Sequence, residues 1–82
     1  MARSAREVLN ALRWRNGFGL ARAEIWVSDR TRPGAMRVVP GAEVTELGRR
    51  YFSTAHARIP YYKILRILYA AEVLFERKTP GR

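Results

Sequence analysis

The sequence predicts an α+β domain: one N-terminal helix packed on a curved antiparallel sheet of four to six short strands, whose curl could approach a barrel. Three observations carry this. Apolar residues recur at helical spacing near the N-terminus, they alternate with a period of two from Ala23 onward, and Pro-Gly pairs punctuate the alternation. A chain of 82 residues can bury one small core and is too short for two. Residues 1–78 are therefore expected to form one domain, with 79–82 as a disordered tail.

Ser4-Ala5-Arg6-Glu7 reads as a capping box, with the Ser4 hydroxyl accepting from the Glu7 amide and the Glu7 carboxylate reaching back to the Ser4 amide. Ala5, Val8, Leu9 and Leu12 follow at helical spacing, so a helix is expected over residues 5–14, stopped by Asn16-Gly17. Trp14, Phe18 and Leu20 are expected to fold back on the core. From Ala23, Ile25 and Val27 share one face of a strand, with Glu24, Trp26 and Ser28 on the other. Pro33-Gly34 suits the centre of a type II turn, and Arg37-Val38-Val39 returns as a second strand that Pro40-Gly41 ends. Residues 42–47 fit either a helical turn or a strand, and Tyr51 to Thr54 reads as a strand. Ile64–Tyr69 and Val73–Arg77 read as a hairpin. A three-residue loop would place Leu65, Ile67, Val73 and Phe75 on one face, with Arg66 opposite the Leu74–Glu76 stretch. No repeat, linker or low-complexity segment stands out.

Sixteen Arg and Lys against seven Asp and Glu give a formal charge of +9 and a pI near 11.3. Such an excess repels itself in a compact domain and is most easily kept where a polyanion compensates it. Fourteen of the sixteen cations are Arg, whose planar fork binds phosphate through two hydrogen bonds and stacks on bases. A GC-rich genome explains Arg over Lys but not the scarcity of acids. The expected partner is RNA rather than DNA, because no segment resembles a helix built for the major groove. Cys is absent, which excludes disulfides and thiolate metal sites. No apolar run approaches the ~18 residues of a membrane span, and Met1-Ala2-Arg3-Ser4 opens as a polar segment. A cytoplasmic protein with no membrane partner is expected.

Two constellations suit nucleic acid. Arg30, Arg32 and Arg37 flank the first hairpin turn, with Trp26 nearby as either a stacking platform or a cover for the sheet. Arg58-Ile59-Pro60-Tyr61-Tyr62-Lys63-Ile64-Leu65-Arg66 interleaves two Tyr with three cations, as single-stranded nucleic acid requires. Catalysis is not expected. His56 is the only His and has no second His to pair with. Asp29, Glu24, Glu43 and Glu46 show no two-metal spacing, and no Gly-rich nucleotide loop is present. No metal and no small-molecule cofactor is anticipated.

The order Glu7-Val8-Leu9-Asn10 with Arg13-Trp14, then Asp29-Arg30, Val39-Pro40-Gly41, Ile59-Pro60-Tyr61-Tyr62-Lys63-Ile64 and Glu72-Val73 resembles a family of small, mostly archaeal proteins, the RNA cyclic-group end-recognition domain. The resemblance runs from Val8 to about Glu76, and its most specific part is Ile59-Pro60-Tyr61. It implies a non-enzymatic RNA-binding module, found alone or joined to RNA ligase-like and 2H phosphoesterase-like domains. The implied task is recognition of 2′,3′-cyclic phosphate or processed RNA ends in repair and processing. Arg30 then matches the family's arginine at the end of the first strand, and Lys63 its basic residue after Ile-Pro-Tyr. Tyr62 stands where the family usually carries His, and Ala70-Ala71 where relatives tend to carry a turn such as Asp-Gly. The alternatives are a ribosome-associated or structural ribosomal-RNA binder, and an adaptor for an RNA-processing enzyme. Cations gathered at one concavity favour end recognition; cations spread over several faces favour the ribosome.

Overall fold

The computed structural model describes residues 4–15 and 19–77. Helix α1 covers Ala5–Arg15 and opens on the expected capping box. The Glu7 amide donates to Ser4 Oγ at 3.2 Å, and the Ser4 amide to Glu7 Oε1 at 2.9 Å. Ala5, Val8, Leu9 and Leu12 form its buried stripe. Trp14 corrects an expectation, for it is 78% exposed. At 3.6 residues per turn it stands about 180° from Ala5 around the helix axis, on the solvent side. Leu20 does turn onto the core, while Phe18, the Asn16-Gly17 stop and the expected 79–82 tail lie outside the described residues.

Seven strands follow among the described residues: β1 (Ala23–Ser28), β2 (Met36–Pro40), β3 (Val44–Leu47), β4 (Tyr51–Thr54), β5 (Arg58–Pro60), β6 (Ile64–Tyr69) and β7 (Glu72–Glu76). The α+β class holds, but the strands form two antiparallel sheets, ordered β2-β1-β6-β7 and β3-β4-β5, and close no barrel. Residues 44–47 resolve as a strand. The unanticipated strand is β5, where Pro60 is tolerated because it ends a short strand. Between α1 and the sheets lie Ile25, Val27, Val39, Phe52, Ile59, Ile64 and Ile67, all buried. The first hairpin turns as expected. Gly34 adopts φ 78° and ψ −2°, and the Ala35 amide donates to the Arg32 carbonyl at 2.9 Å, as a type II turn requires.

An internal duplication organises the strands. Ile25 pairs with Val39 as Phe52 pairs with Ile59, and Glu24 faces Pro40 as Tyr51 faces Pro60. Each hairpin ends in Pro and a 3₁₀ turn, Gly41–Glu43 or Tyr61–Lys63, which carries the chain into the other sheet. The strands that follow, β3 and β6, pair with the first strand of the opposite hairpin. Each skips one residue at the same place, Thr45 or Leu65. No repeat is visible in sequence because the halves share little beyond Pro and apolar character: Val39-Pro40-Gly41-Ala42-Glu43-Val44 against Ile59-Pro60-Tyr61-Tyr62-Lys63-Ile64.

Two expectations in the last hairpin are overturned, the first by the bulge at Leu65. Because Leu65 is skipped, Ile64 and Ile67 reach the core together, instead of Leu65 sharing the face of Ile67. The β6–β7 loop has two residues rather than three, since Tyr69 faces Glu72 across Ala70-Ala71. Both alanines have positive φ, 53° and 68°, the turn chemistry that Asn-Gly or Asp-Gly normally supplies. A second bulge at Leu74 then restores the Ile67–Phe75 and Arg66–Glu76 pairs that an odd loop would produce, and leaves Val73 opposite Leu68 and exposed.

Candidate functional site

Where the two sheets part, a cleft of about 650 Å³ opens between the first hairpin and the second crossover. One wall is Val27, Ser28, the Asp29-Arg30-Thr31 loop and Arg37; the other is Ala57 to Pro60 with Tyr62 and Lys63. Four cations and one carboxylate line it, so the concavity is positive and its walls concentrate that potential.

The loop wall is organised by Asp29. Its Oδ1 accepts from the Thr31 amide at 2.9 Å and the Thr31 hydroxyl at 2.6 Å, an Asx turn. Its Oδ2 lies 3.4 Å from Arg37 Nε and 3.8 Å from Arg32 Nε. The Thr31 hydroxyl and then the Thr31 amide hold the Asp29 carboxyl below its ordinary range; desolvation opposes them, and Arg37 and Arg32 each add a smaller downward pull. Arg37 pairs with Val27, so its stem leaves the core-facing side of the sheet. Its Nε is buried and has no hydrogen-bond partner among the described protein atoms. The 3.4 Å approach to Asp29 is an ion pair without hydrogen-bond alignment. Arg30 is exposed.

The crossover wall is held from behind. Pro60 sets the entry, and the Ile64 amide donates back to the Tyr61 carbonyl. Arg77 donates from Nε to the Ile64 carbonyl at 2.9 Å and from Nη2 to the Tyr61 carbonyl at 3.3 Å. The Tyr61 amide donates to the Arg50 carbonyl at 3.0 Å, and its hydroxyl to the Gly48 carbonyl at 2.7 Å. Tyr61 is buried with its ring 6.1 Å from that of Phe52. Burial pushes its hydroxyl pKa up, against a smaller pull from Arg6. Tyr62, the next residue, is 72% exposed. One tyrosine anchors the turn and the other is presented by it.

The structure therefore gathers Arg30, Arg37, Arg58, Tyr62 and Lys63 at one concavity. It places Tyr61 in the core, and Arg32 in the loop behind Asp29. Trp26 and Arg66 lie on the outer face of the four-stranded sheet, with the Arg66 guanidinium 5.7 Å from the Trp26 ring centre and 3.0 Å from Glu76. Trp26 is half-buried between Val38 and Arg66, so it covers the sheet. His56 sits exposed in the β4–β5 turn, its amide bonded to Thr54 Oγ1 at 3.2 Å. Arg77 carries no signal in the sequence because its two carbonyl partners come from a crossover more than ten residues away, and nothing local marks such a contact.

This arrangement can grip an anion through guanidinium forks and an ammonium, and can stack an unpaired ring. Among the described residues, no three His, Asp or Glu side chains group to hold a metal. A family model described as MJ1316 RNA cyclic group end recognition domain matches residues 2–77. No curated protein and no solved structure matches the chain.

Proposed function

The chain belongs to the RNA cyclic group end recognition domain family, and on that premise we propose that its cleft holds the phosphate of an RNA terminus. Arg30 and Arg37 grip phosphate oxygens, Lys63 adds a point charge, Arg58 guards the rim, and Tyr62 stacks on the terminal base. The observation that carries this reading is the gathering of these side chains at one concavity, where the buried Arg37 Nε lacks a hydrogen-bond partner among the described protein atoms. The Arg37 side chain is 36% exposed, so the open part of its guanidinium is free to meet a phosphate while Asp29 and the buried Nε fix its direction.

Recognition rather than catalysis fits the groups at hand. The Asp29 carboxylate is committed to Thr31 and two guanidinium groups, and His56 does not line the cleft. Neither is set up to pass a proton to or from a reacting hydroxyl. Tyr62 can stack and donate a hydrogen bond, but it cannot become a cation near neutral pH. Grip on the phosphate therefore rests on the arginines and Lys63.

The test is one RNA prepared with a 2′,3′-cyclic phosphate, an open phosphate or a hydroxyl end. Wild-type protein should prefer the phosphate-bearing ends, and Arg37→Ala should remove about 1.5–3 kcal/mol from them while barely changing the hydroxyl end. Equal binding of all three ends by wild-type protein, with Arg30→Ala and Arg37→Ala weakening each alike, would overturn end recognition.

A further inference from the structure

We propose, on the basis of the end-recognition reading, that the Gly48–Tyr51 turn and the outer side of β4–β5 form a track for the unpaired nucleotides preceding the terminus. The ligand is then a single-stranded overhang and not the end of a duplex. Arg58 is the junction. It lines the cleft, yet its guanidinium lies 5.3 Å from the Tyr51 ring centre, with Nη1 3.4 Å from the Tyr51 hydroxyl. Tyr51 is 37% exposed, a large aromatic surface left open on a strand. An aromatic ring carrying a guanidinium is a platform on which a base can stack in turn, because the planar cation is weakly hydrated.

Arg49 and Arg50 extend the positive surface beyond Tyr51. Both are exposed, and neither forms a salt bridge with a carboxylate among the described residues. Their turn is closed by the Gly48 amide donating to the Tyr51 carbonyl at 2.9 Å. It is also tied to the cleft, since Tyr61 bonds the carbonyls of both Arg50 and Gly48, and Tyr62 follows directly. Cleft and turn share this one buried anchor, so their spacing is set before RNA arrives. The acid on this face, Glu46, sits on β3 across Ser53 from Arg58. A polyanion is thereby directed along the β4–β5 side. A paired strand keeps its bases stacked inward and cannot offer them to Tyr51 and Arg58.

The experiment compares a dinucleotide and a single-stranded octanucleotide with the same 2′,3′-cyclic phosphate end, and the octanucleotide annealed to its complement. Tyr51→Ala and the double variant Arg49→Ala/Arg50→Ala are measured beside wild type. The octanucleotide should bind wild-type protein more tightly than the dinucleotide, and annealing should remove the gain. Tyr51→Ala should cost roughly five- to hundredfold on the octanucleotide. The double variant should make the salt slope shallower by about 0.7 for each phosphate it no longer neutralises. Dinucleotide affinity should change far less than octanucleotide affinity in both. Equal binding of the two lengths, a gain that survives both variants or annealing, or displacement of RNA by oligoglutamate of matched charge overturns the track while leaving end recognition standing. A length gain that responds to the variants but ignores the terminal group overturns end recognition alone.

Discussion

The Pro40–Val44 and Pro60–Ile64 crossovers share one backbone. Each enters through Pro at φ −62° with ψ 136° or 143°, makes a 3₁₀ turn, and leaves through a β-branched residue at φ −72°. Their side chains differ at every turn position. In the first, Gly41 is buried and packs so closely on the Leu20 carbonyl that a Cβ would overlap it, and Ala42 and Glu43 face solvent. In the second, Tyr61 fills the core, and Tyr62 and Lys63 stand at a positive cleft. The same structural device serves as a plain connection in one half of the molecule and as a presentation platform in the other. What distinguishes them is the anchor. A glycine lets a neighbouring backbone close over the turn, whereas a buried aromatic props it open and pins it to a second loop.

The largest break in this comparison is Tyr61→Ala, which should destabilise the fold by about 3–5 kcal/mol, as truncation of a buried aromatic does. Tyr61→Phe keeps the packing and loses only the hydroxyl bond to Gly48, so it should cost about 0.5–1.5 kcal/mol. Denaturant midpoints read both. Equal losses would mean that the hydroxyl, not the ring, supports the crossover.

Next is Gly41→Ala. The added methyl meets backbone rather than a flexible side chain, so about 1–3 kcal/mol or more should be lost on the usual scale of overpacking. A thermal melt checks this, and an unchanged midpoint would show that the Leu20–Arg22 turn can retreat.

Smaller in stability but larger in function are Tyr62→Ala and Ala42→Tyr. Both positions are exposed, so folding should change by no more than about 0.5 kcal/mol. Tyr62→Ala should lose about 1–3 kcal/mol of single-stranded RNA binding, and Ala42→Tyr should gain none, because Ala42 does not line the cation-bearing cleft. Fluorescence anisotropy with one labelled RNA separates the two.

The finest distinction is charge. Lys63→Ala should make the salt dependence of RNA binding shallower by about 0.7 in log–log slope, while Glu43→Ala should leave that slope unchanged. Titrations at several salt concentrations would show whether the crossovers differ in this respect.

Much of the local structure was legible. Ser4 and Glu7 cap α1 because both partners lie within one turn. Ile25 and Val27 mark β1 because alternation is a property of neighbouring residues, and Pro33-Gly34 makes its turn because each residue carries its own φ preference. Of the site, the positive charge, the Tyr62-Lys63 pair and the Arg30–Arg37 loop could be named from composition and interleaving. Their convergence could not. Trp14 looked like core from its chemistry alone, although its helical angle placed it outside. Arg66 could be placed opposite the Leu74–Glu76 stretch, but only the register of β6 against β7 singles out Glu76 as the partner that takes up its guanidinium.

What the amino-acid sequence determined by itself is therefore whatever depends on residues a few positions apart: the caps, the periods, the turn types and the excess of arginine. Tertiary structure decided which side chains meet. The bulges at Leu65 and Leu74 reassign faces because a side-chain period of two is reversed by any single extra residue. Two crossovers of the same form send strands into opposite sheets and bring Arg37 across from Lys63. Such pairings are settled by burial of the shared core, a sum over the whole chain that no local segment encodes.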